Sequence, residues 1–245
     1  MEVWTSACLI AAAAFLGTAI QRSVGLGFAL TAAPIFSLVV GPFEGVLLAN
    51  ALALIGAATV LLSTWRDIDF RKFAVLASAG VVAVVPGALL ANRLPPPLLQ
   101  IFAGAAITTI LLLQFRQKQI PGSVGSGTLW TLPTAGAACG FLNATSGAGG
   151  PPVAIYAAAT KWENRAYVPT LQLTFLCVNL TSLAVKGLPS PSREVVALAV
   201  AGIGLGALAG RLFVRYASEK TLRRGAITIA LIGAMTLIVK GFTAL

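Results

Sequence analysis

Charged residues cut this chain into long, uncharged, apolar stretches. They run over residues 3–21, 23–43, 45–65, 73–92, 94–115, 119–160, 166–185, 195–210 and 225–239. A membrane-spanning helix takes about 20 mostly apolar residues. Each stretch therefore reads as one segment, and 119–160 as two, for a total of ten. The two shortest, 195–210 and 225–239, gain length because flanking Arg and Lys side chains snorkel to the interface. Membrane-spanning strands alternate apolar and polar positions, and no stretch here does so. The pattern predicts an all-α polytopic membrane protein.

Composition sharpens the picture. Of the 245 residues, 58% are hydrophobic and 10% charged, with a mean hydropathy of +0.91. A soluble domain is about 25% charged, so a soluble enzyme, a disordered tail and a small disulfide scaffold are excluded, and the lipid bilayer is the implied surrounding. The net charge of +10 does not signal nucleic acid, because the basic residues sit at segment ends and read as topology signals. Cys8, Cys139 and Cys177 lie in apolar stretches without metal-ligand spacing, and buried free thiols are the expectation. Met1-Glu2 lacks the basic region of a secretory signal, and the first apolar run is long enough to span.

The chain also repeats. Gly17-Thr18-Ala19-Ile20-Gln21-Arg22-Ser23-Val24-Gly25-Leu26-Gly27 aligns with Gly140-Phe141-Leu142-Asn143-Ala144-Thr145-Ser146-Gly147-Ala148-Gly149-Gly150. Further on, Asn50 matches Gln172 and Thr59 matches Thr181, and Leu90, Ala91, Arg93 and Leu94 match Leu208, Ala209, Arg211 and Leu212. The common order predicts a first transmembrane repeat over 1–118, a Gly/Ser/Pro-rich linker over 119–126 and a second repeat over 127–245. Five segments per repeat make the second enter the membrane from the opposite side. Ten crossings place Arg93, Lys186, Arg193 and Lys240 on one side and the other 13 of the 17 basic residues opposite. Counting segments 1 and 2, and 6 and 7, as single crossings erases this asymmetry. By the positive-inside rule both termini face away from the cytoplasm. Half-helix pairs that enter and leave on one side preserve the same split and remain an alternative to full spans.

The runs at 21–27 and 143–150 are the least helix-like sequences inside apolar surroundings. Glycine weakens a helix by about 1 kcal/mol relative to alanine. In Gly149-Gly150-Pro151-Pro152 the prolines suit only a helix's first turn. Both runs read as breaks, each followed by a new helix. Broken backbone survives in a membrane only where protein or a wet cavity satisfies it. A helix N-terminus offers free N–H groups and partial positive charge to an anion. Two inverted repeats bring two such ends together near the midplane.

These runs, their duplication and the small-residue stretch Gly202–Gly210 resemble the sulfite exporter TauE/SafE family over nearly the whole chain. The resemblance implies a bacterial inner-membrane exporter of sulfite, sulfoacetate or a related small sulfur-containing anion, with no cofactor. Its substrate site would comprise Gln21, Arg22, Ser23, Gly25, Gly27, Asn50, Asn143, Thr145, Ser146, Gly147, Gly149, Gly150 and Gln172. Other readings stand beside it. Gly202, Gly206 and Gly210 suit close helix packing. Arg22 reads equally as an interfacial charge or an anion ligand. Asn50, Gln172 and Asn179 suit interhelical hydrogen bonding or site lining, and Cys139 reads as a packed thiol. An anion channel and a non-transporting scaffold are the alternative classes. Enzyme chemistry has little support: there is no His, and all seven acids fall at segment ends.

Overall fold

The computed structural model describes residues 2–24, 28–118, 131–216 and 219–245, with side chains excluded at 2–3, 22–24, 114–118, 211–216, 219–220 and 222–223. Its regular elements are all helical. They are α1 (Glu2–Val24), α2 (Phe28–Val40), α3 (Pro42–Thr64), α4 (Phe70–Arg93), α5 (Pro96–Lys118), α6 (Leu132–Ser146), α7 (Gly150–Ala159), α8 (Asn164–Lys186), α9 (Arg193–Tyr216) and α10 (Glu219–Thr243). A single 3₁₀ turn, Trp65–Asp67, joins α3 to α4. Among the described residues, seven helices are long and apolar enough to cross a membrane: α1, α3, α4, α5, α8, α9 and α10. The chain is an all-α, multi-pass membrane protein.

Three helices are too short to cross. At 1.5 Å per residue, α2, α6 and α7 extend about 20, 22 and 15 Å, against a hydrocarbon core of about 30 Å. α6 and α7 pack against each other as a helical hairpin of two helices each too short for a full span. The predicted linker at 119–126 lies outside the described residues.

Glycines set the register between helices. A Cβ on Gly136 would meet Leu76, and one on Gly140 would fall on the Gly80 carbonyl oxygen. α4 and α6 therefore lie backbone to backbone and parallel. The amide N–H of Asp69 donates to Thr170 Oγ1 at 2.9 Å, so α8 begins beside the start of α4. Asn50 Nδ2 donates to Ser182 Oγ at 2.9 Å and the Ser190 N–H reaches Glu44 Oε2 at 3.3 Å, so α3 runs antiparallel to α8. Gly202 and Gly206 of α9 press on the backbone of Ala11 and Phe15 of α1, again in parallel. Gly104 meets Ala234 and Ile238, and Gly241 meets Pro97 and Ile101, so α5 and α10 are antiparallel. Exchanging α1–α5 with α6–α10 maps the pairs α1/α9 and α4/α6 onto each other, and α3/α8 and α5/α10 onto themselves.

These directions define two faces. α1 begins and α10 ends at face A, where Arg93, Lys186, Arg193 and Lys240 lie at helix ends. Apart from Arg22, near the end of α1, the other basic residues belong to helix ends and connections at face B. There Arg165 pairs with Asp67 at 2.9 Å, Lys72 with Asp69 at 3.4 Å, and the Lys72 ammonium sits 4.2 Å from the Trp162 ring centroid. α1 and α2 form a hairpin based on face A. α6 and α7 form one based on face B, its base closed by Leu76, Ala135, Val153, Ala157, Trp162 and Tyr167.

Candidate functional site

The end of α1 and the start of α2 approach the α6–α7 turn beside the middle of α8. Between them lies a small, partly open cavity. Its lining is Gln21, Phe28, Ala29, Leu30, Ala53, Asn143, Gly150, Phe175 and Asn179. Phe28–Leu30 are the first turn of α2, and Gly150 opens α7. Two helix N-termini thus border one space, together with three amide side chains. Phe175 stands at the midpoint of α8, so the cavity sits at mid-depth.

The first turn of an α-helix carries N–H groups without intrahelical partners. At α2 these belong to Phe28, Ala29 and Leu30, and no proline removes them. At α7, Pro151 and Pro152 have no N–H, which leaves Gly150 as the donor nearest the cavity. The α2 end is therefore the richer in donors.

Local sequence explains the α6–α7 turn. Gly147 adopts φ 72°, a left-handed conformation that closes α6, and its N–H returns to the Asn143 carbonyl at 3.1 Å. A Cβ at Gly149 would lie 2.6 Å from the Cys139 carbonyl oxygen and 2.9 Å from Asn143 Cβ, so a bare backbone lets α7 turn back along α6.

Amide side chains tie the site together. Gln21 Nε2 donates to Gln172 Oε1 at 2.8 Å, joining α1 to α8. Gln21 Oε1 is buried without a hydrogen-bond partner among the described residues. Asn143 Nδ2 donates to Asn179 Oδ1 at 2.8 Å, joining α6 to α8. Asn179 is itself a cavity-lining side chain.

Of the residues expected at the site, Gln21, Asn143 and Gly150 line this cavity. Gln172 stands behind Gln21, and Asn50 bonds Ser182 nearer face A. Thr145 and Ser146 turn their hydroxyls back to the carbonyls of Phe141 and Leu142, at 2.9 and 2.8 Å. Gly147 and Gly149 shape the turn. Gly25 and Gly27 lie outside the described residues, as do the side chains of Arg22 and Ser23. Phe28, Ala29, Leu30, Ala53 and Phe175 were not expected. Asn179, which suits either interhelical bonding or site lining by sequence, also lines the cavity. Its spacing from Gln172 and Phe175, seven and four residues along one helix stripe, is the signal that finds it.

No curated protein and no solved structure matches the chain. A family model does: Sulfite exporter TauE/SafE, over residues 9–237. A multi-pass helical protein matched over nearly its whole length by that model belongs to the sulfite exporter TauE/SafE family of membrane transporters.

Proposed function

We propose that this transporter exports sulfite or a small organosulfur anion across a bacterial inner membrane, binding it in the mid-depth cavity between the two hairpin turns. One observation carries the reading: the N-terminal turn of α2, the start of α7 and the amides of Gln21, Asn143 and Asn179 surround one space beside the centre of α8. Helix N-termini and amide N–H groups offset the desolvation of an oxyanion without fixing a counter-charge that would hold it too tightly. The unchanged helix pairing under exchange of α1–α5 with α6–α10 supports two inverted repeats, one over 1–118 and one over 127–245, meeting at this cavity.

Asn179→Asp tests the site. The substitution keeps the oxygen that accepts from Asn143 and replaces the cavity-lining Nδ2 with a second carboxylate oxygen. Like-charge juxtaposition costs several kcal/mol, so sulfite flux into proteoliposomes is expected to fall roughly a hundredfold or more, since each 1.4 kcal/mol is tenfold. The variant should melt near the wild type. Undiminished flux from folded Asn179→Asp protein would place the anion elsewhere.

The basic face B is read as cytoplasmic and face A as external. Single cysteines added beside Met1 and beside Leu245 are expected to react with an impermeant maleimide in intact cells. Protection of either terminus would reverse or break this topology.

A further inference from the structure

In a helical hairpin the carbonyl end of one helix lies beside the amide end of the next, and their partial charges, about −0.5 and +0.5, oppose each other. The α6–α7 turn has this difficulty in strong form. Two of the first-turn residues of α7 are prolines without an N–H, and α6 has no basic residue in its last turn. An anion approaching Gly150 would also meet the carbonyl end of α6.

Lys186 answers that end. It is the last residue of α8, and its Nζ donates to the Ala144 carbonyl at 2.8 Å, one residue from the cavity-lining Asn143. A lysine at the end of a membrane helix ordinarily sends its ammonium outward to the headgroups. This one turns inward, with Nζ 5.7 Å from the Phe43 ring centroid. The ion pairs among the described residues are Lys72–Asp69 and Arg165–Asp67, and Lys186 is in neither. It shares one stripe of α8 with Gln172, Phe175, Asn179 and Ser182, at helix-face spacing. The first hairpin carries its own cation in sequence, since Arg22 falls in the last turn of α1.

We propose that Lys186 supplies the second hairpin with positive charge, neutralising the carbonyl end of α6 so that the turn presents a net positive face to the cavity anion. Lys186 acts here through α6, as a positioning residue. The inference rests on the transport reading above.

Three substitutions separate charge from capping. Lys186→Gln keeps a donor for the Ala144 carbonyl but loses the charge, Lys186→Arg keeps both, and Lys186→Met loses both. In proteoliposomes, Lys186→Gln is expected to raise the KM for sulfite about tenfold, the upper range of helix-end charge effects. Its kcat should change less and its melting temperature little. Lys186→Arg should restore the wild-type KM. A Lys186→Gln protein with wild-type KM would overturn the inference and assign Lys186 to the cap alone; one that fails to fold would overturn it too, by assigning the charge to folding rather than to the anion. Wild-type vesicles that carry no sulfite would remove the transport reading and this inference with it.

Discussion

Gly140→Ala is expected to deplete folded protein from the membrane, while Gly204→Ala leaves it unchanged. The new Cβ at Gly140 would fall on the Gly80 carbonyl oxygen and lie 2.6 Å from its carbon and 2.9 Å from its Cα. Overpacking a well-packed contact typically costs about 1–3 kcal/mol by displacing side chains. Here the obstacle is backbone on both sides, so no rotamer relieves it. The cost should reach the top of that range or exceed it, because α4 and α6 must separate along their whole seam. Gly204 faces open space, with nothing within 4 Å of its added Cβ. Yield and melting temperature in detergent decide between the two variants. Equal melting would mean that the α4–α6 contact is looser than drawn.

The second large effect concerns energy. The buried polar side chains among the described residues are amides and hydroxyls, including Gln21, Asn50, Asn143, Gln172, Asn179 and Ser182. None is a carboxylate or imidazole, the usual carriers of a midplane proton relay. An exported anion does not require one. With the cytoplasm negative, each negative charge moving outward gains about 2.3 kcal/mol per 100 mV. A divalent anion then gains about 4.6 kcal/mol, equivalent to a gradient on the order of a thousandfold. Sulfite accumulation in proteoliposomes should rise steeply with a clamped potential and persist at equal internal and external pH. Flux that tracks the pH gradient and ignores the potential would contradict this and point to a neutral or protonated species.

Much of the fold was legible because charges mark the ends of apolar segments: the ten helices follow the ten segments in order, most of them overrunning the uncharged stretch into the charged residues that bound it. The α6–α7 break was legible as well, since a glycine run followed by Pro151-Pro152 has few other uses inside apolar sequence. Helix depth was not legible. The stretch 119–160 looked long enough for two spans because Gly, Ser and Thr carry no charge, yet α6 starts only at Leu132. The candidate site divides in the same way. Gln21 and Asn143 stand out as amides in oily surroundings. Phe28, Ala29, Leu30, Ala53 and Phe175 are ordinary apolar residues, and only the folded arrangement makes them a wall. Thr145 and Ser146 stand out as polar residues beside the glycines of the break, and in the folded chain each hydroxyl bonds the carbonyl four residues back.

The shortness of α2, α6 and α7 bears on how the protein is made. A nascent helix of 10 to 15 residues has open backbone groups at its tip, each costing several kcal/mol in hydrocarbon. The insertion machinery therefore meets seven stretches it can release into lipid alone and three it cannot. α6 and α7 find α4 already in place, and α8 follows directly. α1 and α2 must wait for α9 and α10, the most C-terminal of the ten, whose Gly202, Gly206 and Gly233 seat Ala11, Phe15 and Pro34. The half of the molecule synthesised first is thus the half completed last. Until α10 arrives, the first turn of α2 is an unsheltered end that chaperones or quality-control proteases can recognise.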